Sequence, residues 1–528
     1  MELVETKNGN KEDIVMKTNG LFVALAILSA FAACEKEHET EISKPCILTV
    51  EATKVEDDVT KALSEESGRV LATWEINDEV TVYDSGDNEL GTIRATSAGQ
   101  TASFTGTLNS TPGVGNTLYL RYKAPSYATQ DGTLSYIAAN CDYAEALVTV
   151  VAADMEYGTA VTSKANFSNK QAIVKFTLKD QSGNDLPVTG LTIGDGVNTY
   201  TVTPDAATNV LYVAMRQITS KNLTLVASSE KYGYSKTGVS FPNAQFYTRT
   251  VRMKPYYTVG ASTHVLFAPG NLQATYDATG KTWSWGFAAH QYDAILNNPG
   301  NSTITTTTKE ISEPYAKLSA DGTVDLFGWS TSLTYYGIAT NSQAEDLAYS
   351  GDFVDWGTLA IGTYPANYWR TLTIDEVTYL LETRSTSTIG ETSNARYLKA
   401  QVTDANIPGL ILFPDSFTWN VSAFGTAPTT CNSGTAYYTA VSFSTEQWTA
   451  MEAAGCVFLP RCGYRQGTSF NLTSGGVLYW SSTPGANTKA SALFVTSTVL
   501  NTTSYNPATS LYYDWRYLGR AVRLAREL

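Results

Sequence analysis

The stretch TWEINDEVTVYDSGDNELGTIRATSAGQTASFTGTL, residues 73–108, decides how the first half of this chain folds. Residues 80–84, VTVYD, alternate apolar and polar side chains, the two-residue period of a strand with one buried face. Turn-forming SGDN follows and ELGTIRA resumes the alternation, which predicts a hairpin, with TASFTGTL as the next strand. Downstream, NTLYLRY (116–122) and GTLSYI (132–137) extend the series at intervals of about ten residues. A second series opens with AIVKFTLK (172–179) and runs through GLTIGD, NTYTVTP, VLYVAM, NLTLVAS and FYTRTVRMK. Short strands with this punctuation predict two β-sandwiches, at 45–163 and 164–257.

Bulk composition agrees with a β-rich chain of several domains. The protein has 528 residues, of which only 16% are charged, and its net charge is −14. No run of Lys and Arg accompanies that acidity, so nucleic acid is not an expected partner. Three histidines and six cysteines at no metal-like spacing leave the familiar metal and triad constellations without parts. No cofactor, metal or enzymatic activity is expected.

Nine of the ten tryptophans follow residue 280, which places a change of domain near residue 258. In LQATYDATGKTWSWG (272–286) a hairpin turns at Asp277–Gly280. Two helices announce themselves by capping boxes, Thr373 with Glu376 and Ser444 with Gln447. Gly455 supplies the left-handed stop of the second. Strands VFLP, VLYWSS, SALFVTS and GRAVRLARE close the chain.

At the other end, the apolar run Leu21–Ala33 is too short for the roughly 20 residues that a membrane-crossing helix needs. Lys17 precedes it and small residues end it, the plan of an export signal, with translation expected to start at Met16. The segment MKTNGLFVALAILSAFAAC resembles a bacterial lipoprotein signal, which implies that residues 1–33 are removed and that Cys34 is lipidated. Residues 34–44 then form an acidic leash to the outer membrane.

Two further resemblances organise the rest. TVEATK, then the 73–108 stretch, then FSNKQAIVKFTL resembles the fimbrillin-type lipoproteins of Bacteroides-like bacteria, whose members carry tandem transthyretin-like Greek-key β-sandwiches. Many become pilus subunits after a protease removes the first strand and a neighbouring pilin subunit's strand fills the groove. Arg69 is the first arginine of the chain and so the first point at which an arginine-directed protease could cut. The series YWRTLTIDEVTYLL, AGCVFLPRCGYRQG, VLYWSSTP and GRAVRLARE looks like the α+β C-type-lectin-like fold of bacterial surface proteins distantly related to formylglycine-generating enzymes. It covers 258–528 and implies that the ends of this region pair as neighbouring strands.

The enzymes of that group use thiolates, whereas Cys456 in AGCVFLP reads as a small buried hydrophobe, with Cys462 close behind it. The calcium and sugar motifs of C-type lectins are not matched by SEPY (312–315) or TWNV (418–421). Candidate ligand-binding residues are therefore aromatics and carboxylates in loops: Asp352, Asp355 and Trp356 in GDFVDWG, and Tyr335 and Tyr336 in SLTYYG. The expected protein is a surface-exported fimbrial tip subunit that displays an adhesive head to a host or bacterial glycan or protein. Its rival is a non-polymerising surface lipoprotein with the same head, and a third reading, a formylglycine-generating-like enzyme, would require reactive cysteines at Cys456 and Cys462.

Overall fold

The computed structural model describes residues 44–528 apart from 55–63, 67–68, 72, 278, 281, 294–308, 313–314, 319–321, 330–351, 403–406, 434–435, 467–468, 472–475, 486–488, 496–499 and 502–512. Cys34, the signal segment, Tyr335 and Tyr336 lie outside the described residues. The chain is mostly β, and residues 44–528 pack as one unit around several cores.

Its first sheet is built from β1 (Cys46–Lys54), β4 (Glu79–Tyr83), β5 (Glu89–Ala95), β6 (Thr101–Leu108), β7 (Thr117–Tyr122), β9 (Ala144–Asp154), β10 (Thr159–Thr162) and β11 (Ala165–Asn169). The short ribbon β2 (Ser64–Glu66) with β3 (Arg69–Leu71) stands apart from it. The hairpin read from 80–95 is present as β4 and β5, and β6 follows as expected. The ladder runs β6–β5–β4–β7–β9, then β10 and β11, then β1, and β1 pairs β6. The circuit is therefore closed through β1. Closure removes the free edges that an open sheet would expose.

β8 (Thr129–Gln130) leaves this ring and pairs β14 (Thr199–Val202). With β12 (Gln171–Lys179), β13 (Leu191–Gly194), β15 (Val210–Arg216), β16 (Ile218–Ala227), β17 (Tyr232–Phe241), β18 (Phe246–Arg252) and β19 (Lys254–Pro255) it forms two sheets. Three strands, β15-β12-β18, face six, β19-β17-β16-β13-β14-β8. Ile173, Phe176, Ile193, Leu211, Val213 and Leu225 fill the space between them. The stretch GTLSYI, expected as a strand, is instead helical at Leu134–Tyr136 and continues as a wider turn over Ile137–Cys141. Asp131 accepts from the Thr133 amide and hydroxyl, and Thr133 in turn caps the Tyr136 amide, so the run starts as a capped turn. Ile137 and Cys141 then enter the second core, so the second body reaches back before residue 164.

After residue 256 come several small sheets and, among the described residues, short helical segments that include Ile374–Thr378, Val421–Phe424 and Thr445–Ala453. The hairpin Leu272–Asp277 with Thr282–Phe287 turns where the sequence places it. Ile374–Thr378 and Thr445–Ala453 both start at complete capping boxes. Gly455 ends the latter with φ +93°, and a Cβ there would lie 2.8 Å from Pro255, so both conformation and space require glycine. His264–Phe267 pairs with Tyr257–Thr258 on one side and with Ala525–Glu527 on the other, the pairing expected of the two ends of this region.

Buried guanidinium groups tie these pieces together. Arg384 pairs with Asp415 at 2.6 Å and donates to the carbonyls of Leu380, Phe413 and Arg396. Asp415 also accepts from the Thr258 amide, and its own carbonyl accepts from Lys231 of the second body. Arg523 reaches Asn271, Gln291 and the Ala268 and Phe458 carbonyls. Forked donors suit this work because one planar group satisfies several fixed acceptors. Arg526 lies 3.7 Å from the Tyr368 ring, while Leu528 packs against Gly233 of β17.

Candidate strand-acceptor site

β1 is a complete inner strand. Its side chains alternate buried and exposed, with Cys46, Leu48, Val50, Ala52 and Lys54 facing the core. On one side it runs antiparallel to β6, from Cys46 opposite Leu108 to Thr53 opposite Thr101. On the other it runs parallel to β10 at Ile47–Thr49 and to β11 at Ala52–Lys54. Withdrawing it would expose backbone donors and acceptors on both neighbours together with an apolar trench, which an incoming strand could satisfy again.

The far end of that trench is aromatic. Trp74 meets Phe104, Tyr122 and Phe167 edge to face, with ring centroids 4.8, 5.2 and 5.2 Å apart. Into this group β1 inserts Lys54, only 2% exposed, with its amine 3.7 Å from the Trp74 centroid and 4.9 Å from that of Tyr122. Burial pushes the Tyr122 hydroxyl well above its ordinary value, and the carboxylates of Asp78, Asp142 and Glu75 push it further. Asp78 and Asp142 are themselves buried. The Lys54 amine thus sits on the faces of both rings, and the Lys123 amine lies 5.4 Å from the Tyr122 centroid as well.

Arg69 lies in β3, opposite Glu66 in a two-stranded ribbon that, among the described residues, pairs with none of the three sheets of the first two bodies.

The loop candidates come out differently. Asp352 is exposed, but the Trp356 indole is 1% exposed and packs against Phe353 and Phe327, with Trp329 stacked on Phe353. This corrects the expectation of a flat, accessible indole: the ring belongs to an aromatic core. Asp355 caps the turn by accepting from the Gly357 amide and joins it to Thr371 through that residue's amide and hydroxyl. Burial raises its carboxyl pKa, with those hydrogen bonds opposing the shift. A Cβ on Gly357 would lie 1.8 Å from the Trp369 carbonyl oxygen, which shows how closely the turn is seated. The geometry is that of a structural corner.

Cys46, Cys141, Cys431, Cys456 and Cys462 are all buried and free. Burial raises the Cys456 and Cys462 thiols, the reverse of what a nucleophilic thiolate needs. Among the described residues no cluster of three or more His, Cys, Asp or Glu could hold a metal ion, and no helix is long and apolar enough to cross a membrane.

No protein-family model and no curated protein matches the chain. Among solved structures, a fimbrial assembly protein from Parabacteroides distasonis is 11% identical over 46% of this chain and 98% of its own, with a TM-score of 0.23. A Bacteroides ovatus fimbrial protein is 10% identical over 92% and 99%, at 0.22, and a shaft pilin from Lactobacillus rhamnosus is 10% identical over 39% and 97%, at 0.20. At scores this low the likenesses carry no argument for what this chain does.

Sequence reasoning missed Lys54 and the ring around it. Two signals were present: the period-two register that puts Lys54 on the face of Val50 and Ala52, and the isolation of Trp74 in the first half.

Proposed function

We propose that this protein is a cell-surface fimbrial subunit that accepts a strand from a pilin partner and carries, in 258–528, a head for adhesion or display. The observation that carries the reading is the position of β1: one N-terminal segment closes the whole first ring, and Arg69 lies in the short ribbon beyond it. Cutting there frees β1 from the chain. The strand at Ala525–Glu527 is engaged with His264–Phe267, and Arg370 bridges to Ala525 from the other side. That strand is not on offer as a donor, which favours a place at the tip.

Lipid on Cys34 would moor the precursor to the outer membrane until cleavage. The reading contains no catalytic step, and the head's ligand is a surface glycan or protein.

N-terminal sequencing of the protein extracted from pili tests the proposal, with Val70 the expected first residue. A chain that still begins at Cys34 would sink strand replacement. It would favour the second reading, a non-polymerising surface lipoprotein, which has its own support in β1 already sealing the ring. Binding of the full mature chain to arrayed glycans then separates adhesion from display.

A further inference from the structure

Resting on the strand-replacement reading, we propose that the groove selects its incoming strand by a buried cation, a Lys or Arg at the place now held by Lys54. The groove reads five inward positions. Three are filled by Cys46, Leu48 and Val50, each almost fully buried, and they ask only for apolar side chains of moderate size.

At the fourth, Ala52 lies opposite Ala102 on one neighbour and Ala165 on the other. Trp74 touches Phe104, which is level with Val50, and Phe167, which is level with Lys54. Its indole therefore spans the alanine level, and the small side chains there make room for it. A large residue at the fourth position would meet this ring.

The fifth position is where the groove turns from apolar to charged. Trp74 and Tyr122 present their faces to the Lys54 amine, and Asp78 and Asp142 are buried around the Tyr122 hydroxyl. An ammonium or guanidinium is attracted to the rings and offsets the two carboxylates. A neutral side chain loses the attraction to the two ring faces, and an acidic one is repelled by them and by the nearby carboxylates. The partner motif is thus apolar-x-apolar-x-apolar-x-small-x-Lys/Arg, entered antiparallel to β6.

The test uses the full chain, folded intact and then cut after Arg69. The freed β1 segment is displaced in mild denaturant, and labelled peptides of sequence CILTVEATK are offered, with refilling followed by fluorescence anisotropy. The unchanged peptide and its Lys54→Arg form are expected to bind alike, Lys54→Met about tenfold more weakly and Lys54→Glu not measurably. Ala52→Leu is expected to weaken binding as well. Equal binding of the Lys and Met peptides overturns cation selection while leaving strand replacement standing. No binding by any peptide overturns both.

Because a cut chain could lose its fold on displacement, a second measurement keeps the β1 segment in place. The rate at which that segment leaves after cutting is compared for intact-folded Lys54 and Lys54→Met proteins. Faster loss from the Met form supports selection, and equal rates refute it.

Discussion

Lys54 and Arg384 are buried in opposite ways. Lys54 rests on the faces of Trp74 and Tyr122, in a strand that a single cut would separate from the chain. Arg384 donates to an aspartate and three carbonyls contributed by segments that converge within the C-terminal half. A point charge on π faces can be exchanged for another cation with little rearrangement. A fork wired into several backbone acceptors cannot, since its loss orphans every partner at once. The first arrangement fits an exchangeable strand, and the second fits a permanent joint.

The largest effect should follow from breaking the joint. Arg384→Met leaves Asp415 without its buried counter-charge and is expected to destabilise by about 3–5 kcal/mol, read from calorimetric unfolding. A loss under about 1 kcal/mol would remove the contrast with Lys54. Lys54→Met in the uncut chain should cost less, roughly 1–2 kcal/mol by the same measurement, because ring contacts replace the forked hydrogen bonds. A cost equal to that of Arg384→Met would make β1 as permanent as the joint. Ser444→Ala removes the cap of the helix Thr445–Ala453 and should cost about 1 kcal/mol, an ordinary reference against which both cations are read.

A third buried cation sharpens the comparison through pH. Burial lowers Lys399 from 10.5 to about 8, and its amine lies 5.9 Å from the Tyr438 ring centroid. Between about 8 and 10.5 the unfolded chain binds more protons at this residue than the folded one. Its contribution to stability therefore rises with pH across that window and is least favourable below it. Melting temperatures of the parent and of Lys399→Met, measured from pH 7 to 10, should converge as pH rises, with the Met form the higher at pH 7. A constant difference would contradict the burial cost assigned to Lys399.

Local structure was the most legible part of the chain. The hairpin at 80–95, the turn at 277–280 and both capping boxes depend on neighbours within a few residues, and each is present. GTLSYI was misread because a short apolar run fits a strand or a turn of helix equally, and the Asp131–Thr133 cap decides between them. Trp356 was misjudged for a different reason. Loop position suggested exposure, whereas Phe353 of the same loop and Phe327 from a distant segment cover it, with Trp329 stacked on Phe353. The site itself was half legible, since Arg69 could be singled out by position but the groove could not.

By itself the sequence determined the β-rich character, the alternation that gives each strand its inner face, and the helix starts, because those follow from nearest-neighbour sterics and capping. Only the tertiary structure decided that β1 closes a ring with β6, and that Lys54 ends among Trp74, Tyr122, Phe104 and Phe167. Pairing between strands far apart in sequence is fixed by which faces can be buried together, and the burial of a charge by what surrounds it once they are.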